Sequence, residues 1–286
     1  MSNKNIKKIL LINDLPGYGQ VALSAMSPIL TGYGYEVFLL PTVILSNTLN
    51  YGKVAFLDTT EYIIEALKTW EELGFTFDAV STGFLADSKQ ANIIYDFCKA
   101  QCIKETKIFV DPIMADNGKL YNSVTENNVQ AMQKMITLAD YLFPNITEAC
   151  YLTDTKYNDE GYTVNELKRI INELNTSSAG QKKSVMITSA KIKDITSTNN
   201  KQKSVFCYDN TSDDFFAVNY AELPVKINGS GDIFSAVVIA EIISGSTLRN
   251  SVTKSVDFLN SLIRKNINII DQYNGLPITS DIFLHN

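Results

Sequence analysis

The chain has 286 residues, of which 45% are hydrophobic and 20% charged, and it carries a formal charge of −6 at pH 7. That is the composition of a globular protein with a substantial core, long enough for one large domain or two small ones. The acidic balance argues against a nucleic-acid partner, and a small anionic ligand stays open through local amides, a metal or lysines such as Lys226.

The first apolar stretch is broken by Lys7 and Lys8 and too short for a signal peptide, and no later run would span a bilayer. A cytoplasmic protein with no membrane partner is expected. The four cysteines, at 98, 102, 150 and 207, lack metal-site spacing, and the single histidine is His285. Neither a zinc site nor a Ser-His-Asp triad is supported, and the thiols are expected to be reduced.

In chain order, β-branched runs alternate with segments of helical period. Strands are predicted at residues 8–12, 36–40, 79–82, 108–110, 141–143 and 184–188. Helices are predicted at 19–32, 59–73, 88–102, 125–139, 147–153, 164–174, 232–243 and 248–266. Segments near 204–208 and 215–220 flank the polar turn 209–214 and read as a hairpin at a sheet edge. The stretch 191–203 reads as an exposed loop, and neither it nor 175–183 breaks the rhythm. The expected fold is α/β, a mostly parallel sheet covered by helices on both faces, in one domain over residues 1–286.

Ligands of such sheets sit beyond the carboxyl ends of the strands. Polar and acidic residues collect there: Asn13-Asp14, Ser46-Asn47-Thr48, Gly83-Phe84, Asp111-Pro112, Asn145 with Glu148, and Thr188-Ser189. Near the end of the chain, Asn228-Gly229-Ser230-Gly231-Asp232 leads into the apolar run 233–240. Glycines let backbone amides approach an anion, and a helix N-terminus adds further amides. An Asp there is suited to take a proton from an attacking hydroxyl while the amides hold developing phosphate charge. The pattern suggests phosphoryl transfer to an alcohol. It is also that of an ordinary turn with an acid in the first helical turn.

Phosphoryl transfer needs its charge neutralised, usually by magnesium, which takes one or two carboxylates directly or through water. Asp111, Asn145 and Glu148 can supply that shell; Asn145 and Glu148 equally suit a helix cap. No Gly-x-x-x-x-Gly-Lys-Ser/Thr occurs, and Gly17-Tyr18-Gly19 is followed by alanine at residue 22, against a dinucleotide site.

Taken together these residues resemble the ribokinase superfamily and, within it, the pyridoxal (vitamin B6) kinase group. The resemblance runs from about residue 8 to residue 264. It is carried in order by Asn13-Asp14-Leu15-Pro16-Gly17-Tyr18-Gly19, Leu45-Ser46-Asn47, residues 78–85, residues 110–121, Pro144-Asn145-Ile146-Thr147-Glu148-Ala149, Ile187-Thr188-Ser189 and Gly229-Ser230-Gly231-Asp232. The last is a Ser variant of the usual Gly-Thr-Gly-Asp.

The resemblance implies a ribokinase-like three-layer α/β/α sandwich and an ATP-dependent, Mg2+-assisted kinase of a hydroxymethyl group. Asp232 would be the base, and the amides of Gly229, Ser230 and Gly231 the anion hole. Asp111, Asn145, Glu148 and Thr188 would serve ATP, with Asp111 and Glu148 toward magnesium, directly or through water. Asp14, Ser46, Asn47 and Phe84 would face the substrate. Residues 115–121, with Asp116, Lys119 and Tyr121, match a loop that closes over the site. A homodimer is implied, and monovalent-cation dependence is common in the superfamily. Three positions depart from the group: Asn47-Thr48-Leu49-Asn50 replaces Thr-His-Thr-Gly, Asn13 replaces a frequent His, and Phe84 replaces an aromatic hydroxyl. Alternatives are a kinase of another small alcohol such as hydroxymethylpyrimidine, and a non-catalytic binder of pyridoxal phosphate or nucleotide.

Overall fold

The computed structural model describes residues 6–122, 124–176, 182–193 and 202–278. In chain order the elements begin with β1 (Lys8–Pro16), α1 (Ala22–Gly32), β2 (Glu36–Leu45), β3 (Phe56–Asp58), α2 (Thr60–Glu72), β4 (Ala79–Thr82), α3 (Ser88–Cys102) and β5 (Lys107–Val110). There follow β6 (Ala115–Asp116), β7 (Lys119–Leu120), α4 (Glu126–Met135), β8 (Tyr141–Leu142), α5 (Ile146–Leu152), α6 (Val164–Thr176) and β9 (Ser184–Ala190). The last are β10 (Gln202–Asp209), β11 (Asp214–Ala221), α7 (Ser230–Ile243) and α8 (Leu248–Lys265). Mostly parallel strands flanked by helices make up the expected α/β class.

The chain forms two compact units: Met1–Ala86 with Ala100–Lys107 and Leu223–Asn286, and Asp87–Lys99 with Ile108–Glu222. In the first, the strand order is β4-β1-β2-β3, parallel except for β3, which runs antiparallel to β2. Ile9, Leu10, Leu11 and Ile12 have no exposed surface. A continuous apolar run of this kind belongs to a strand covered on both faces, and each such side chain contributes about 1.5–3 kcal/mol on burial. Helix α7 is buried from Ile233 to Ile242, which explains why its sequence shows no polar stripe. In the second unit the order is β5-β8-β9-β10-β11, with β10 and β11 the expected antiparallel edge hairpin. Phe109 stacks on Tyr141 at 4.8 Å between centroids.

Several boundaries differ from expectation. β1 runs on to Pro16, so Asn13 and Asp14 lie within the strand rather than after it. The β1–β2 register shifts between Asn13 and Leu15, pairing with Pro41 and Ile44, so β2 carries one extra residue beside Asp14; such bulges redirect side chains near sites. α1 begins at Ala22 rather than at 19, because Gly19 has φ +136° and Gln20 bridges Gly275. α7 begins two residues before Asp232. The expected loop at 191–203 and the stretch 175–183 fall partly, and His285 wholly, outside the described residues.

Candidate active site

In the first unit the site is built where β1 ends and α7 begins. Gly229 caps α7 with φ +78°, and a Cβ there would lie 2.5 Å from the Gln20 carbonyl oxygen. Both the left-handed backbone and the close approach require glycine. Having no side chain, Gly229 cannot cap, and the first amides of α7, those of Ser230 and Gly231, have no partner within the helix. A Cβ on Gly231 would meet nothing within 4 Å. Unpartnered amides at the positive end of a helix are suited to an anion.

Asp232 is the third residue of α7. Its Oδ2 accepts the Ala22 N–H at 2.8 Å and its Oδ1 the Asn13 Nδ2–H at 3.4 Å. Ala22 holds φ +47° at the head of α1, a strain of about 1–3 kcal/mol for a non-glycine residue at the residue whose amide holds the carboxylate. Burial pushes the Asp232 carboxyl up to about 6 against the pull of these donors. Asp14 is pushed up to about 7 by burial and by the Asp232 charge. Asn13 also joins the segment after β4, its Oδ1 accepting the Asp14 N–H at 2.9 Å and the Phe84 N–H at 2.8 Å. The Phe84 carbonyl accepts the Thr42 hydroxyl at 2.8 Å.

Ser46 and Asn47 point their polar atoms into their own loop. The Ser46 hydroxyl donates to Asn47 Oδ1 at 2.6 Å and accepts the Ala55 N–H, and Asn47 Nδ2 donates to the carbonyls of Thr48 and Lys53. That loop is tied to the C-terminal segment by Thr48, whose hydroxyl donates to the Tyr273 carbonyl at 3.0 Å, and by Tyr51, whose hydroxyl meets Asp271.

In the second unit, Asn145 is the N-cap of α5. Its Oδ1 accepts the N–H groups of Thr147 and Glu148, and Glu148 Oε2 accepts the Asn145 N–H at 2.8 Å. The capping alternative is therefore realised. It is also joined to the loop before it: Glu148 Oε1 accepts the Met114 N–H at 3.1 Å, and Asn145 Nδ2 donates to the Ala115 carbonyl at 2.7 Å. Burial, with the Asp111 charge second, raises the Glu148 carboxyl well above the ordinary carboxylate range. Thr188 bridges Asn145, its N–H donating to the Pro144 carbonyl.

Residues 115–120 form a two-stranded ribbon, β6–β7, turning through Asn117 (φ +50°) and Gly118 (φ +77°). Gly118 donates its N–H to the Thr147 hydroxyl at 3.0 Å, fastening the turn to α5. Asp116 accepts from the Asn117 backbone and side-chain amides, while Lys119 and Tyr121 are exposed. Among the described residues no group of three or more His, Cys, Asp or Glu forms a metal cage. The oxygen donors Asp111 and Glu148 fit instead a hard cation that takes few protein ligands.

Asp14, Phe84, Asp232 and the Gly229 turn are thus brought together through Asn13. Asp111, Asn145, Glu148 and Thr188 form the second set. The roles of Asn13 and of the Ala22 amide were not legible as site features. Asn13 stood as a rim residue and as a departure from a frequent His, with no role toward Asp232, and no side-chain pattern marks a backbone amide.

The residues 30–276 match the family model described as phosphomethylpyrimidine kinase. The chain belongs to that family, and it is a ribokinase-like kinase. Within that class its likenesses lie with pyridoxal kinases. A Bacteroides thetaiotaomicron protein, provisionally named a phosphomethylpyrimidine kinase and crystallised with pyridoxal, is 31% identical with a TM-score of 0.89, over 98% of this chain and 95% of that one. Pyridoxal kinase from Lactobacillus plantarum is 25% identical with a TM-score of 0.85, over 97% and 96%. The pyridoxal kinase PdxY of Leifsonia xyli is 26% identical over 90% of this chain and 89% of its own.

Proposed function

We propose that this protein is an ATP-dependent kinase that phosphorylates the hydroxymethyl group of pyridoxal, pyridoxine or pyridoxamine. The observation that carries the reading is Asp232, a carboxylate raised to about 6 beside the uncapped amides of Ser230 and Gly231. Its carboxylate accepts the hydroxymethyl proton as the oxygen attacks the γ-phosphorus. The new O–P bond forms while the bond to the β,γ-bridging oxygen breaks, and ADP leaves. The Ser230 and Gly231 amides take up charge on the transferring group. A base of this pKa is largely ionised at neutral pH yet binds a proton more tightly than an ordinary aspartate. Asp14, whose carboxyl burial pushes up to about 7, would bond a polar group on the substrate ring, with Phe84 beside it. Asp111 and Glu148 would hold Mg2+, Glu148 through water because its oxygens accept backbone amides, and the ion would neutralise triphosphate charge. Thr188 serves the nucleotide, and the 115–121 ribbon with Asp116, Lys119 and Tyr121 covers it. Ser46 and Asn47 shape the acceptor loop.

We read residues 1–286 as one kinase domain, since each unit takes up separate stretches of the chain. We further infer a homodimer through the edge strand β3. Phe56 and Leu57 are 56% and 59% exposed, and Leu57 pairs with Ile44, itself exposed; apolar edges of this kind invite a partner. A cytoplasmic setting agrees with four free cysteines and with the finding that no helix of the described residues is long and apolar enough to cross a membrane.

The second reading, hydroxymethylpyrimidine as acceptor, is favoured by the description of the matching family. An ADP-release assay with the three B6 vitamers and hydroxymethylpyrimidine, with and without Mg2+ and in K+ or Na+, separates the two. Turnover of a B6 vitamer with the best kcat/KM is expected. Turnover of the pyrimidine alone would replace the substrate, and no turnover of any alcohol would point to a non-catalytic binder.

A further inference from the structure

The Asn13 carboxamide is 2% exposed, and each of its polar atoms is engaged. Two backbone N–H groups, of Asp14 at 2.9 Å and Phe84 at 2.8 Å, converge on one end. Backbone amides only donate, so that end is the oxygen, and the NH2 end must face Asp232 Oδ1 at 3.4 Å and Met26 Sδ at 3.9 Å. Gly83 makes room for it: a Cβ there would come within 2.5 Å of Asn13 Cγ and Nδ2.

We propose that Asn13 is the positioning residue of the acceptor site, one neutral amide that orients Asp232 while fixing the backbone at Asp14 and Phe84. The proposal rests on the kinase reading above and deepens it. The chemistry requires a group that accepts twice on one side and donates on the other, without charge. A carboxylate of the same shape would set a negative oxygen against Asp232. An apolar side chain would leave two buried N–H groups without an acceptor. The groups facing Asp232 are the Asp14 carboxylate from β1, the Ala22 amide from α1 and its own amide on α7. Among the described residues no basic side chain bonds to it, so Asn13 is its one side-chain donor.

The test is Asn13→Asp, with Gly83→Ala as a second variant that displaces the amide without adding charge. Thermal melting selects the variants that fold. Two quantities are then read: the acid limb of the kcat/KM profile for the acceptor, and the carbon-13 titration of the Asp232 carboxyl, identified by its loss in Asp232→Asn. Both should move up by about one pH unit in each variant, with kcat at pH 6 lowered about fivefold as the ionised fraction of the base falls and KM for MgATP unchanged within about twofold. An unmoved titration and acid limb in both folded variants would overturn the proposal. The carboxyl titration needs no turnover, so an inactive wild-type protein would sink the substrate reading while a moved titration still supported the role of Asn13.

Discussion

Asp232 and Glu148 occupy the same place in two helices, the third residue after the N-cap, yet the two helix ends are built oppositely. At α5 the cap is Asn145, whose side chain takes the Thr147 and Glu148 amides while Glu148 returns to the Asn145 N–H. That end is closed, and its carboxylate reaches on to the Met114 amide. At α7 the cap is Gly229, which has no side chain to offer, and Asp232 turns to the Ala22 amide of another helix. That end stays open to an anion. The residue at the N-cap therefore decides whether a helix end is closed by its own side chains or left open, and the open end is the one that would suit the base proposed for Asp232.

The sharpest way to break this contrast is Asp232→Asn. Turnover should fall about 10²–10⁴-fold, the usual worth of a general base, while calorimetry finds ATP binding within a few-fold of wild type. Retained activity would dismiss the base. Glu148→Gln should act on the nucleotide side instead. We expect kcat/KM for MgATP to drop about 10–100-fold, the scale of a lost outer-shell metal partner, with the Mg2+ requirement shifted upward. A loss confined to KM for the alcohol would contradict the assignment.

Next in size is the pair Gly229→Ala and Gly231→Ala. The first forces alanine to φ +78° and against the Gln20 carbonyl, costing about 1–3 kcal/mol in chemical denaturation. The second meets nothing within 4 Å, so stability should stay within about 0.5 kcal/mol while kcat falls. Equal destabilisation by both would remove the distinction between a packed and an open glycine.

A last effect, on stability and not on turnover, is expected in its pH dependence. The folded-state carboxyl of Asp14 lies at about 7, raised from 3.8, so between these values the folded chain binds the proton that the unfolded chain releases. Its contribution to stability is thus lost as pH rises from about 4 to about 7. Asp14→Asn should raise the melting temperature at pH 8 and leave it nearly unchanged at pH 4. A gain present only at pH 4 would reverse the assigned shift.

Much of this could be read from residues close in sequence. Gly229 through Asp232 marks an uncapped helix start, and Asn145-x-x-Glu148 a capped one. Asn117-Gly118 is a strong signal for a two-residue hairpin, and the β6–β7 ribbon was nevertheless expected only as a loop. Strand β3 was missed because three residues, all exposed, carry no alternation to detect. The overextended α1 shows that helical periodicity is blind to a backbone held at positive φ by a distant segment.

By itself the amino-acid order determined the α/β rhythm, the ordered rim residues and the identity of the first-turn acids, because helices, strands and caps arise from contacts a few residues apart. Only the tertiary structure decided that Asp232 is held by Ala22 and Asn13, each more than 200 positions away, and that Glu148 is tied to Met114. It alone set the upward shift of the Asp14, Asp232 and Glu148 carboxyls, which makes them weaker acids than ordinary carboxylates. Desolvation and long-range hydrogen bonds depend on what folding brings around a group, and no local pattern encodes them.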